Sequence, residues 1–167
     1  DPIVLPPWTD DVHHEVELYI LIGRQGANIP TSMVEEHIAG YGILLDLTAR
    51  DIQTEGKTSG RPFGLSKCWD TSAPLSMPVA AQEVGGLTGA QDLEIRLRTN
   101  DELRQLSRTS EMVYKIDQLV AFLSTVMTLE PGDIIATGTP EGVSQIVSGD
   151  VVEATIEKLG SLTVSVE

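Results

Sequence analysis

Basic residues are scarce in this chain: 11 Lys and Arg stand against 25 Asp and Glu, leaving a formal charge of −14. No basic patch emerges easily from that balance, which argues against a nucleic-acid partner and against binding to anionic membranes. An anionic small substrate is still admissible, provided a metal or a few local cations reverse the sign inside one pocket. Cysteine is almost absent. Cys68 stands alone, so no internal disulfide forms, and the chain suits a reducing compartment. A Cys/His zinc site fails for want of ligands, because only His13, His14 and His37 accompany that cysteine. Two Trp, three Tyr and two Phe are all the aromatics, so the core must be mainly aliphatic. Long apolar runs are missing too. The longest, Leu119 to Met127, is too short for a membrane span and is broken by Ser124 and Thr125. With no signal peptide in view, a cytoplasmic location is expected.

What is present fits one domain of 167 residues, long enough to bury a sizeable core. "HHEVELYILIGR", residues 13 to 24, reads as a β-strand, and a second apolar strand is predicted over Ile43 to Thr48. Between them, Ser32 and Glu35 have capping-box spacing, which predicts a short helix over Met33 to Ala39. Residues 50 to 56 suit a helical turn, followed by a turn-rich stretch from Lys57 to Pro62. "LEIRLR", "TNDE" and "LRQL" form a hairpin over Leu93 to Leu106. Ile116 to Thr128 is the clearest helix, with Ile116, Leu119, Val120, Leu123 and Met127 on one face. A strand over Asp133 to Thr137 and a last hairpin from "VVEATIE" follow. Many strands with few short helices predict a β-rich α+β domain.

The chemistry concentrates in a handful of residues. Successive strand side chains alternate faces, so Glu15 and Glu17 share one face about 7 Å apart. Asp46 sits in the apolar run "ILLDLTA", where an unpaired carboxylate is costly and needs a partner or a cation. Three carboxylates on two strands suit an all-oxygen site for Mg²⁺, Mn²⁺ or Ca²⁺. They equally suit a solvated strand face with Asp46 satisfied by hydrogen bonds, and spacing alone leaves both readings open. Arg50 and Gln53, three residues apart in a helical turn, point the same way and suit a carboxylate and a carbonyl, or simply solvent. Lys67, in "GLSKCWD", suits enolate stabilisation or proton transfer if desolvated, and ordinary solvation otherwise. "ATGTPEG", residues 136 to 142, leaves a strand in a turn of the kind that presents N–H groups to anions. It lacks the lysine of a nucleotide-binding P-loop.

Taken in order, "HHEVEL…IG", "AGYGILLDLTARDIQ", "RPFGLSKCWDTSAPL", "TSEMVYKIDQLVAFLSTVMTLEPGDIIATGTPEGV" and "GDVVEATIEKLGSL" resemble the fumarylacetoacetate hydrolase superfamily along essentially the whole chain. The likeness is to its small single-domain branch of acylpyruvate hydrolases and oxaloacetate decarboxylases. The resemblance implies that Glu15, Glu17 and Asp46 are Mg²⁺ or Mn²⁺ ligands and that Lys67 is the catalytic lysine beside the substrate's developing enolate. It implies substrate contacts from Arg50, Gln53 and Thr139. It further implies a mixed β-roll, a homodimer, and hydrolysis of a C–C bond in acylpyruvates or related 2-oxo acids through a metal-stabilised pyruvate enolate. Oxaloacetate decarboxylation and dienoic-acid decarboxylation or isomerisation belong to the same superfamily, and a non-catalytic metal-binding domain is a third possibility. The expected organisation is a single catalytic domain over residues 1–167. Family hydrolases carry the His and Glu that activate water on an N-terminal lid segment, which would precede residue 1 here and is expected to be absent from this domain.

Overall fold

A computed structural model describes all of residues 1–167. In chain order the strands are β1 (Val12–His13), β2 (Val16–Ile22), β3 (Ile38–Leu45), β4 (Thr48–Ala49) and β5 (Val79–Ala80). They continue with β6 (Glu94–Thr99), β7 (Glu102–Arg108), β8 (Ile134–Ala136), β9 (Val151–Ile156) and β10 (Gly160–Ser165). The α-helices are α1 (Arg50–Ser59), α2 (Ala81–Val84), α3 (Gly86–Ala90) and α4 (Ile116–Val126). One four-stranded sheet has the order β5-β3-β2-β8 and the other β10-β9-β6-β7, while β1 and β4 form a small pair. Every ladder is antiparallel, and a single parallel bridge joins Ile3 to Val166. The domain is β-rich α+β, and no helix is long and apolar enough to cross a membrane.

The core lies where the two sheets face each other, with β2 against β6 and β3 against β9. In the outer sheet the period-two pattern is plain. Ile95 and Leu97 of β6 and Val152, Ala154 and Ile156 of β9 are buried, while their charged neighbours are not. β2 is covered on both faces instead. Val16, Leu18, Ile20 and Ile22 enter the core, and Glu17 and Tyr19 on the other face are buried as well. The hairpin turn between β6 and β7 is Asn100-Asp101, with φ values of 50° and 68°. Both residue types tolerate the left-handed conformation that a tight hairpin requires.

Several predicted boundaries move, each for a local reason. The Ser32–Glu35 capping box does not form. Glu35 Oε1 instead accepts the Leu87 N–H of α3 at 3.0 Å, and residues Thr31–His37 wind as a 3₁₀ helix. The helix at residue 50 runs on to Ser59, so the turn predicted from Lys57 begins at Gly60, whose φ of 66° ends α1. On α4 the buried stripe is Ile116, Val120 and Ser124, while Met127 lies outside at 56% exposure. Ser124 is inside because its hydroxyl accepts the Ile29 N–H at 2.8 Å.

The strand predicted from Ile43 begins five residues earlier and takes in Gly40, Tyr41 and Gly42. Glycine is needed here for space. A Cβ on Gly40 would meet the Val79 carbonyl at 2.4 Å, and one on Gly42 would meet the Tyr19 ring at 2.3 Å. β3 also ends sooner than predicted, at Leu45, because Pro74 O and Ser72 O take the N–H groups of Leu45 and Leu47. Asp46 therefore lies just past the strand rather than within it. Its N–H still bonds Glu15 O at 2.9 Å, so the two carboxylate-bearing residues face each other beyond the last rung, Val16↔Leu45.

The Tyr19–Gly42 contact makes a testable pair. Gly42→Ala should overpack this site at a cost of about 1–3 kcal/mol, lowering Tm by roughly 3–10 °C. Tyr19→Leu removes the obstructing ring, so the double variant should lose less than the sum of the single losses. Additive losses in thermal melts would show that the ring is not the obstacle.

Candidate metal and substrate site

The ladder between β2 and β3 positions the candidate residues. The strand predicted over residues 13 to 24 is broken at His14 and Glu15, so Glu17 lies on β2, Glu15 immediately before it, and Asp46 directly after β3. Glu15 is 8% exposed and Glu17 4%, which overturns the solvated-face alternative for this pair. One carboxylate oxygen from each of Glu15, Glu17 and Asp46 lies within 4.8 Å of the others. Carboxylate oxygens alone make a hard donor set, the kind that Mg²⁺, Mn²⁺ and Ca²⁺ take. The cluster also draws positive charge toward itself. Lys67 Nζ bridges it, donating to Glu15 Oε2 at 2.8 Å and to Asp46 Oδ2.

Each remaining candidate reaches the cluster by its own route. The 3₁₀ turn Gly64–Ser66 delivers Lys67, whose side chain is about a quarter exposed. Arg50 opens α1 and divides its guanidinium, with Nη2 on Glu15 Oε1 and Nη1 on Gln53 Oε1 at 2.8 Å. Gln53 is buried and also accepts from Lys57 Nζ at 3.1 Å. Thr139 sits in the turn after β8, and its hydroxyl is used within the protein. It donates to Val16 O and accepts from Gln105 Nε2, both at 2.8 Å. A cavity of about 240 Å³ lies behind this turn, lined by Leu18, Ile95, Met112, Leu119 and Thr139 among others. It is on the Leu18 face of β2, opposite the face of Glu17, and so is separate from the carboxylates.

The three carboxylates differ sharply in electrostatics. Burial alone would raise Glu15, but hydrogen bonds and charge from Lys67 and Arg50 outweigh it and hold its carboxyl below the usual range. Lys67 is likewise opposed by burial, yet Asp46 and Glu15 raise it above an ordinary lysine, so Nζ stays protonated. Glu17 has no cation in contact. Burial, aided by the charges of Asp46 and Glu15, pushes it up to about 7, despite the Gly138 N–H that its Oε2 accepts at 2.7 Å.

Gln105 gave no functional signal in the sequence. It is the one fully covered side chain of β7, and it holds His14, Val16, Thr139 and Pro140 together. A faint signal existed, since the hairpin register sets Gln105 opposite the inward-facing Leu97.

The raised Glu17 predicts how stability without metal depends on pH. The native state holds a proton on Glu17 that an unfolded Glu releases near 4.5. Its contribution is therefore complete below that value and is lost as pH rises through about 7. His14 works in the opposite sense, because burial lowers it and favours the neutral ring. Comparing the wild type with Glu17→Gln at each pH cancels the His14 part. Glu17→Gln should come close to the wild type in Tm near pH 4 and exceed it near pH 8 when chelator is present. An unchanged difference between the two pH values would mean that Glu17 holds no such proton.

Residues 1–167 match the family described as fumarylacetoacetate (FAA) hydrolase C-terminal. An uncharacterized protein of Pyrococcus abyssi is 48% identical over 160 residues, covering 96% of this chain and 70% of that protein. Human mitochondrial oxaloacetate tautomerase FAHD1 is 39% identical over 166 residues, covering 99% of this chain and 74% of its own. The crystal structure of fumarylpyruvate hydrolase from Pseudomonas aeruginosa, in complex with Mn²⁺ and pyruvate, superposes with a TM-score of 0.94 at 36% identity. That alignment covers 99% of this chain and 70% of the hydrolase. The chain therefore belongs to the fumarylacetoacetate hydrolase family.

Proposed function

We propose that the protein is a Mg²⁺- or Mn²⁺-dependent hydrolase that cleaves a C–C bond in acylpyruvates or related 2-oxo acids. One observation carries the reading: a buried all-carboxylate cluster, Glu15, Glu17 and Asp46, with the protonated Lys67 lying directly on it. Glu15, Glu17 and Asp46 would hold the metal, which when bound supplies Lewis acidity toward the carboxylate and keto oxygens of a 2-oxo acid. Lys67 then offers fixed N–H donors and positive charge to the oxygen on which negative charge develops as the C–C bond breaks. Glu15 and Asp46 keep that proton on Nζ. Arg50 is aimed by Glu15 and Gln53 and supplies the second local cation that an anionic substrate needs in so acidic a protein. The hydrolase with bound Mn²⁺ and pyruvate supports the substrate class.

A second reading rests on the human relative's name. Enol–keto interconversion of oxaloacetate uses the same charge stabilisation at the 2-oxo group without breaking a C–C bond. We also propose a homodimer, supported by the exposed apolar side chains Phe122 and Val126 on α4, Met127 just past it and Ile134 on β8. A monomer in micromolar sedimentation runs would remove the dimer from the reading.

Calorimetric titration with oxalate tests the site. Oxalate should bind only when Mg²⁺ or Mn²⁺ is present, and metal-independent binding would overturn the reading. On a panel of acylpyruvates and oxaloacetate, product analysis separates hydrolysis from tautomerisation. Asp46→Asn should weaken Mn²⁺ roughly 100-fold or more, beyond the loss of an outer partner, which costs roughly 10–100-fold. Lys67→Ala should lower turnover by roughly 10²–10³-fold, as removing an oxyanion donor does. Its Mn²⁺ affinity should hold or rise, because the ammonium no longer competes for the carboxylates. Full turnover in Lys67→Ala would take the lysine out of the chemistry.

A further inference from the structure

The side chain of Gln105 is 1% exposed and sits where the two sheets meet. Its amide can be oriented in only one way. Oε1 lies 3.2 Å from the Val16 N–H, which can only donate, and Nε2 lies 2.8 Å from the Pro140 carbonyl, which can only accept. That orientation fixes every proton nearby. His14 must carry its proton on Nδ1 to reach Gln105 Oε1 at 3.0 Å, so His14 Nε2 accepts from the Ser144 hydroxyl at 2.8 Å. On the other side Gln105 Nε2 donates to Thr139 Oγ1, which passes its own proton to Val16 O.

The arrangement replaces a missing piece of ladder. β8 pairs with β2 only over Tyr19–Leu21 and then leaves it. The main-chain N–H and carbonyl of Val16 on that side are taken by the side chains of Gln105 and Thr139, while the Leu18 carbonyl accepts both the Thr137 N–H at 3.3 Å and its hydroxyl at 2.7 Å. Because the chain has left the ladder, Gly138 at φ 95° can turn its N–H onto Glu17 Oε2 at 2.7 Å.

We propose that Gln105 is a positioning residue. It ties the Thr137–Pro140 turn to the carboxylate strand through His14 and Val16, and so fixes both the Glu17 carboxylate and the Thr139 main chain at the metal and substrate site. The inference rests on the metal-dependent reading above, but its first test does not.

That test is amide exchange at Gly138, measured without metal in wild type and in Gln105→Met. This variant keeps the side chain's length and bulk while removing all four polar contacts. Exchange at Gly138 should quicken at least tenfold in the variant, while exchange at Leu97 and Val152 in the outer sheet should hold. The second readout is calorimetric Mn²⁺ affinity well below Tm, expected to fall about tenfold. A purely structural role would lower Tm and leave both readouts where they are. Val164→Ala serves as the control for lost stability alone, and its Mn²⁺ affinity should equal that of the wild type. If Gln105→Met does not fold, Gln105→Glu is read in the same way, since it keeps one acceptor and loses the two Nε2 donor contacts. Unchanged Gly138 exchange, or unchanged Mn²⁺ affinity with normal folding, overturns the proposal. A wild type that binds no Mn²⁺ overturns the functional reading instead, and Gly138 exchange still decides whether Gln105 holds the turn.

Discussion

Three carboxylates meet at the end of the β2–β3 ladder, and only two cations of the chain, Arg50 and Lys67, reach them. Glu15 takes contacts from both cations, Asp46 takes one from Lys67, and Glu17 has neither. Leaving a buried carboxylate unpaired is expensive, and the chain lessens the cost by holding a proton on Glu17 and by aiming one main-chain N–H at it. A divalent cation would remove the need for that proton. The same imbalance that makes the cluster costly alone is what would make it receptive to such an ion.

Charge at the site and charge over the whole protein run in opposite directions. The surface of a chain carrying −14 repels anions at long range, so an anionic substrate such as the one proposed above would not be gathered by steering. Recognition of such an anion would have to be local and desolvated, where Arg50 and Lys67 would act at contact distance and salt screens little. Both cations are already engaged by carboxylates in the protein, so their position is settled before any ligand arrives. Such preorganisation is the usual source of electrostatic stabilisation at an enzyme site.

How much of this could be read from the sequence depended on range. Glu15 and Glu17 stood out because two carboxylates at a spacing of two, next to an apolar run, conflict with any simple strand. Asp46 stood out for the same reason, although it proved to lie just beyond its strand, where a 72–74 segment takes over the neighbouring N–H groups. The hairpins and α4 followed from period and turn chemistry. Lys67 could be singled out from its own stretch only with solvation as an open alternative, and its place beside the site came through resemblance, since it meets Glu15 across 52 residues of chain. The failed capping box shows the other limit. Ser32 and Glu35 have the right spacing, but α3 supplies a main-chain donor that Glu35 takes instead.

The part of the site least visible in the sequence is the one that depends on a hydrogen-bond deficit. After the Thr137 N–H bonds the Leu18 carbonyl the chain leaves β2, so the main-chain N–H and carbonyl of Val16 lose their partners, and each orphaned group would cost about 1–3 kcal/mol if left buried. That penalty would favour continuing the ladder, and a continued ladder would take the Gly138 N–H away from Glu17. Thr139 and Gln105 remove the penalty by supplying side-chain partners to Val16, and Thr137 adds a second donor to the Leu18 carbonyl. Threonine suits the two turn positions because one hydroxyl can donate to a carbonyl and accept at the same time, as Thr139 does. Valine at 139, equal in shape, would leave Val16 O unpaired and leave Gln105 with only the Pro140 carbonyl as its tie to the turn. The side chains of the "TGTP" stretch thus let a strand end early, which leaves the Gly138 N–H facing the Glu17 carboxylate.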